Sequence, residues 1–112
     1  PEIKVSVSPD LTGFLKEEFE RVKSCMEVQD SGLVFEALRI ELKPAIDCSQ
    51  EYSFQICSVG IFIPPNTILL DVRLSEISTL REEFVHYFLY SVWGNGDDAH
   101  QNPLFDKCAP HT

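Results

Sequence analysis

The start of the chain alternates apolar and polar side chains, which is the period of a β-strand with one buried face. This pattern covers residues 2–8. Pro9 and Asp10 come next, and the Asp10 carboxylate can accept the free amide hydrogens of a first helical turn. After them, apolar residues recur at helical spacing and predict an amphipathic helix that ends near Gln29: Leu11, Phe14, Leu15, Phe19, Val22 and Met26.

The middle of the chain is rich in β-forming residues. Residues 33–42 include apolar side chains at both odd and even positions, so both faces of a strand there would be largely apolar. This pattern predicts a second strand that is buried on much of both faces and ends at Pro44. Residues 52–63 form another β-rich run, which is interrupted by Gly60. Pro64-Pro65-Asn66 marks a turn before a further apolar stretch at residues 67–72. We interpret the last two stretches as a β-hairpin.

A long helical pattern runs from Leu74 to Trp93, with Ser75 or Ser78 as its N-cap and Gly94 as its stop. Residues 94–112 are mostly polar and turn-forming, which predicts a loop and a C-terminal tail. The predicted order is therefore β-α-β-β-β-α. It indicates an α+β fold with one small mixed sheet, in a single domain spanning residues 1–112.

Composition and charge narrow the classes of function. The 112 residues carry eighteen acidic and nine basic side chains, a formal charge of −9, so nucleic acid and anionic lipid surfaces are not expected partners. The sequence has neither a continuous apolar run of about 20 residues nor a start resembling a signal peptide, so we expect no membrane span and a cytoplasmic location.

The four cysteines, at positions 25, 48, 57 and 108, form no C-x-x-C pair, which argues against a ribbon-type zinc site. They are interpreted as small buried apolar residues, with a Cys48–Cys57 disulfide as the alternative.

The second predicted helix carries the candidate chemistry. Residues 84–93 are apolar or aromatic nearly all round, so this helix is expected to be buried on several faces. Glu82 and Glu83 lie within one turn of His86, and such groups are costly to bury unless they are paired, hydrogen-bonded or bound to a metal. The alternative is a solvated helix start, with His86 as a core histidine bonded to a carboxylate.

The segment Leu80–Phe88 resembles the active-site helix of zincin metallopeptidases, whose motif is H-E-x-x-H. Its glutamate and second histidine fall on Glu83 and His86, and its first histidine falls on Glu82. The strand predicted at residues 67–72 resembles the strand that precedes that helix in zincins, and the element order resembles that of the small minigluzincins. Residues 100–105 resemble the segment that follows the helix in SprT-like proteases.

The resemblance implies a zinc-dependent peptidase acting on a peptide or protein. Zinc would be held by Glu82, His86 and His100, Glu83 would be the general base, and an edge strand near residues 59–63 would hold the substrate. The oligomeric state is left open.

Two alternatives concern the ligands, and two concern the function. Asp97 and Asp98 are substitutes for His100 as the third ligand, and a minor alternative takes Cys108 and His111 as ligands from the tail. Because a carboxylate at position 82 would weaken the metal as a Lewis acid, a catalytically inactive zincin-like protein is the alternative function. A plain interaction module, in which residues 82, 83 and 86 form only a polar network, is the third hypothesis.

Overall fold

The computed structural model describes residues 2–3, 9–43, 60–71, 77–96 and 101–110. A sheet of four strands lies at its centre, in the order β1-β2-β4-β3: β1 (Glu2–Ile3), β2 (Arg39–Lys43), β3 (Gly60–Ile63) and β4 (Thr67–Asp71). The β1–β2 and β2–β4 pairs are parallel, and β3 pairs with β4 antiparallel. The predicted α+β class with a mixed sheet is therefore confirmed.

The first helix, α1 (Pro9–Cys25), begins two residues before Leu11, so the prediction of Asp10 as its N-cap is wrong. Pro9 lies in the first turn, where a missing amide hydrogen costs nothing. The helix ends four residues before Gln29. Glu27 adopts a left-handed conformation with φ of 57°, and the Val28 amide donates to the Lys23 carbonyl at 3.1 Å. This is the helix-ending geometry that glycine usually provides.

The prediction of a strand from residue 33 is wrong for its first half. Residues Phe35–Ala37 form a 3-10 helix, and β2 begins only at Arg39. Phe35 and Leu38 are both 1% exposed, whereas Glu36 and Ala37 between them are exposed. A strand would send positions 35 and 38 to opposite faces, but one turn of 3-10 helix brings both to the same core.

The second helix, α2 (Ile77–Trp93), packs with α1 on one face of the sheet. Gly94, with φ of +79°, follows its last residue as predicted. Phe19 of α1 is fully buried at the centre of this layer, and its ring is 5.0 Å from that of Phe88 and 5.4 Å from that of Phe84. Phe14 belongs to the predicted apolar stripe of α1 but is 40% exposed. The sheet contributes Ile40, Phe62, Ile68 and Leu70 to the same core.

The predicted tail contains a third helix, α3 (Leu104–Cys108). The Leu104 amide donates to the Asn102 side-chain oxygen at 2.9 Å, which satisfies one amide of its first turn. A disulfide joins Cys108 to Cys25 at the end of α1, so Cys108 is excluded as a thiolate ligand. The predicted alternative, a Cys48–Cys57 bond, lies outside the described residues.

None of the helices that the structure describes has the length and apolar character needed to cross a membrane.

Candidate functional site

Three polar side chains of α2 form the centre of the candidate site. Glu83 and His86 are each 5% exposed, and Glu82 is half-buried. Positions 82 and 86 are four residues apart, so their side chains share one face of the helix, as two ligands of a single metal ion must. The interpretation of residues 82 and 83 as a solvated helix start is therefore wrong for Glu83.

The carboxylate of Glu83 lies against the backbone of β3. A Cβ atom built on Gly60 would lie 3.0 Å from Glu83 Oε2 and 2.8 Å from Thr79 Cγ2. A side chain at position 60 would therefore force the side chains of Thr79 and Glu83, or the strand itself, to move. The sequence marked Gly60 only as an interruption of a β-rich run, although a glycine inside a strand is also the usual sign of such a close approach. This contact places the candidate general base beside strand β3.

The imidazole of His86 is held on two sides. Its Nδ1–H donates to the Gly96 carbonyl at 2.6 Å, and the Phe105 ring of α3 packs on it with a centroid distance of 4.7 Å. Gly94 turns the chain back after α2 and so brings Gly96 alongside the helix. A proton held on Nδ1 leaves the lone pair on Nε2, the atom that can then accept a hydrogen bond or bind a metal. Sequence reasoning missed both Gly96 and Phe105 as parts of this site.

The candidates for a third metal ligand, His100, Asp97 and Asp98, lie outside the described residues. The described chain on either side of them reaches the site, since Gly96 and Phe105 both contact the His86 ring. Within the described ranges, no three histidine, cysteine, aspartate or glutamate side chains form a metal-binding group. The described part of the chain thus supplies two of the predicted ligands, Glu82 and His86.

An ion pair anchors the residue just before the candidate site. Arg81 donates to the Glu18 carboxylate of α1, from Nε at 2.7 Å and from Nη2 at 3.3 Å. Glu18 is 4% exposed, and Arg21 also lies near it, with an N–O distance of 3.5 Å. The hydrogen bonds to Glu18 raise the pKa of the Arg81 guanidinium above its ordinary value. This pair fixes the first turns of α2 against α1, and with them the positions of Glu82 and Glu83.

The aromatic residues of α2 separate into two groups. Tyr87 is 3% exposed and its ring lies 6.1 Å from that of Phe62, so it belongs to the core. Tyr90 and Trp93 are 36% and 58% exposed. Trp93 lies at the end of the helix beside a surface groove.

No protein-family model matches the chain, and comparison with curated proteins and with solved structures found no significant match.

Proposed function

We propose that this chain is a zinc-binding domain of zincin type that hydrolyses peptide bonds. Glu82, His86 and His100 hold the metal in this proposal, and Glu83 is the general base. The observation that carries it is the orientation of His86, whose Nδ1–H is donated to the Gly96 carbonyl. Histidines that bind metals in proteins commonly donate their other ring hydrogen to a carbonyl or carboxylate in this way.

The chemistry assigns a separate role to each described residue. Zinc, when bound, would supply a Lewis acid that activates a water molecule and polarises the substrate carbonyl. Glu83, one residue after the first ligand, would accept a proton from the attacking water and pass it to the amine that leaves. Strand β3 is an edge strand of the sheet that the structure describes, and it lies against Glu83. An extended substrate can therefore pair with β3 close to this carboxylate.

One observation favours a second candidate function, a zincin-like domain that binds a protein without cleaving it. Glu82 occupies the position of the first histidine of the motif. A carboxylate there adds negative charge beside the metal, which makes a bound water less acidic and the metal a weaker Lewis acid. The two candidates share the metal site and differ only in catalysis.

The metal site is tested by the zinc content of protein purified without chelators, measured by elemental mass spectrometry. We expect about one zinc per chain, and less than about one tenth of that in His86→Asn. Asparagine retains a donor for the Gly96 carbonyl and removes Nε2, so it separates ligation from the structural hydrogen bond. Glu20→Gln, at an exposed carboxylate of α1, is a control in which the zinc content should stay unchanged. Absence of zinc from the natural sequence would contradict the proposal, and zinc regained in Glu82→His would then identify residue 82 as the cause.

Catalysis is tested separately with a fluorogenic casein substrate. Peptidase activity that disappears in Glu83→Gln, while the zinc content stays unchanged, would support the peptidase. A full equivalent of zinc with no cleavage by the natural sequence would favour the inactive binding domain. Cleavage that persists in Glu83→Gln would exclude Glu83 as the base.

A further inference from the structure

The segment that follows α2 contains an asparagine followed directly by a glycine, Asn95-Gly96. Asn95 is exposed, and both residues lie outside any helix or strand. The Asn95 side chain lines an open surface groove beside Trp93, so water reaches it. The backbone nitrogen of a glycine can approach the side chain of a preceding asparagine closely, because glycine has no Cβ atom to obstruct it. Asparagine is among the chemically labile residues of proteins, and this is the dipeptide that exposes it most to attack.

The reaction open to this dipeptide is deamidation, and its only co-reactant is water. The Gly96 nitrogen bonds to Cγ of Asn95, and the side-chain nitrogen leaves as ammonia together with the Gly96 amide proton, which closes a succinimide ring. Water then opens the ring at either of its carbonyl carbons. One product is aspartate with the ordinary backbone. The other is isoaspartate, in which the backbone runs through Cβ and Cγ of residue 95. Nothing is oxidised or reduced.

The other two asparagines of the chain lack these conditions. Asn102 precedes Pro103, whose nitrogen carries no hydrogen and cannot close the ring. Asn66 precedes Thr67, a β-branched residue that begins β4, and its side-chain amide donates to a backbone carbonyl at 2.8 Å. Asn95 is therefore expected to react first, and the other two asparagines provide comparisons within the same molecule.

The dipeptide is also part of the candidate site, since the Gly96 carbonyl accepts the Nδ1–H of His86 at 2.6 Å. Isoaspartate adds one carbon–carbon bond, about 1.5 Å, to the backbone between Cα of residue 95 and the Gly96 nitrogen. A displacement of that size along the hydrogen bond would lengthen it from 2.6 Å to about 4 Å, which is too long for a hydrogen bond. Ordinary aspartate leaves the backbone length unchanged and adds only a negative charge.

We propose that Asn95 is a site of spontaneous deamidation, whose isoaspartate product moves the Gly96 carbonyl away from His86. The modification itself follows from the exposed asparagine–glycine dipeptide and does not depend on any function of the protein. Its effect on zinc rests on the proposed function, because it takes His86 to be a metal ligand. Loss of the hydrogen-bond partner of a ligating histidine typically lowers metal affinity about 10- to 100-fold, so the protein would lose zinc as it ages.

Peptide mass spectrometry of protein kept in mildly alkaline buffer at physiological temperature tests the modification. We expect aspartate and isoaspartate to accumulate at position 95, while Asn66 and Asn102 remain amides. Gly96→Ala is the matched variant, because its Cβ would meet only ordinary contacts, the nearest being the His86 backbone oxygen at 3.6 Å. It keeps the carbonyl and should slow the reaction at least about fivefold, since a Cβ obstructs the attacking nitrogen. An unchanged amide at position 95, or an equal rate in Gly96→Ala, would overturn the proposal.

The effect on the site is measured by nuclear magnetic resonance and by zinc affinity, on fresh protein and on the isoaspartate fraction separated by ion exchange. The Nδ1–H of His86 should give a slowly exchanging signal in fresh protein and lose it in the isoaspartate fraction. Asn95→Asp adds the charge without lengthening the backbone, so it should keep the signal. Asn95→Gln should keep it throughout ageing, because the longer glutamine side chain closes a ring far more slowly.

The outcomes separate this inference from the proposed function. Loss of the His86 signal in the isoaspartate fraction, with at least about a tenfold loss of zinc affinity, would support both. Loss of the signal in protein that contains no zinc even when fresh would support the inference and contradict the metal site. A His86 signal that survives isoaspartate formation, or that Asn95→Asp loses equally, would overturn the proposed displacement of the Gly96 carbonyl.

Discussion

Replacing Cys25 and Cys108 together by alanine would remove the covalent link between α1 and α3. The two residues are 83 positions apart in sequence, so the bond closes a loop that includes most of the domain. The substitution changes these two cysteines alone, whereas a reductant acts on any disulfide in a protein. It therefore isolates the contribution of this one disulfide.

The expected loss follows from the entropy of the unfolded chain. A cross-link that closes a loop of this length lowers the free energy of folding by about 4.5 kcal/mol at 25 °C in the chain-entropy description. Domains of this size have a total stability of about 5–15 kcal/mol, so the variant would lose a large share of it. The corresponding fall in Tm is about 15–20 °C.

Urea unfolding followed by circular dichroism measures this loss. Each single variant should already lose nearly the full amount, because removing either sulfur breaks the bond, and the second substitution should then add little. A loss below about 1 kcal/mol in the double variant, or two single losses that add, would refute the argument.

The same bond bears on the candidate site and on the location of the protein. Helix α3 carries Phe105, which packs on His86, so loosening α3 is expected to lower zinc affinity as well as stability.

Disulfides are rare in cytosolic proteins and persist in oxidising compartments. Cys25–Cys108 therefore argues against the cytoplasmic location expected from the sequence.

Three further perturbations test the packing around the site. Glu18→Gln should lower the free energy of unfolding in urea by about 2–3 kcal/mol, because it leaves the mostly buried Arg81 guanidinium without its carboxylate. Glu17→Gln, at an exposed carboxylate of the same helix, is the control and should change it by less than about 0.5 kcal/mol. Burial raises the pKa of Tyr87, and a hydrogen bond with a serine hydroxyl on the same helix opposes this only in part. Ultraviolet titration should therefore detect a phenol that ionises above pH 10 and is missing in Tyr87→Phe. The free energy of unfolding should fall as the pH rises above 10, because the Tyr87 phenol loses its proton more readily in the unfolded chain than in the folded one. Gly60→Ala should lower stability by about 1–3 kcal/mol, because the new methyl group would overlap side chains of α2. Gly13→Ala has open space around its Cβ and should raise stability by roughly 0.5–1 kcal/mol through helix propensity. Equal effects in the two variants would contradict the close contact between Gly60 and α2.

Local patterns in the sequence determined much of this protein. Helical spacing with Gly94 as a stop located the end of α2, and the Pro64-Pro65-Asn66 turn located the hairpin of β3 and β4. The same spacing placed Glu82, Glu83 and His86 within one turn of a single helix. These features depend on residues a few positions apart, whose periodicity is visible without knowledge of the rest of the chain.

The tertiary structure decided what depends on residues far apart in the chain. Residues Phe35–Ala37 form a 3-10 turn because Phe35 and the next residue after the turn, Leu38, are both buried in a core that α1 and α2 complete. Gly60 meets Glu83 across 23 positions, and the cysteine partners are 83 apart. Such pairings arise when elements pack, and many alternative pairings are compatible with the same local pattern. The sequence by itself therefore identified the histidine and carboxylates of the candidate site, whereas packing determined the hydrogen bond, the ring contact and the strand that hold them in place.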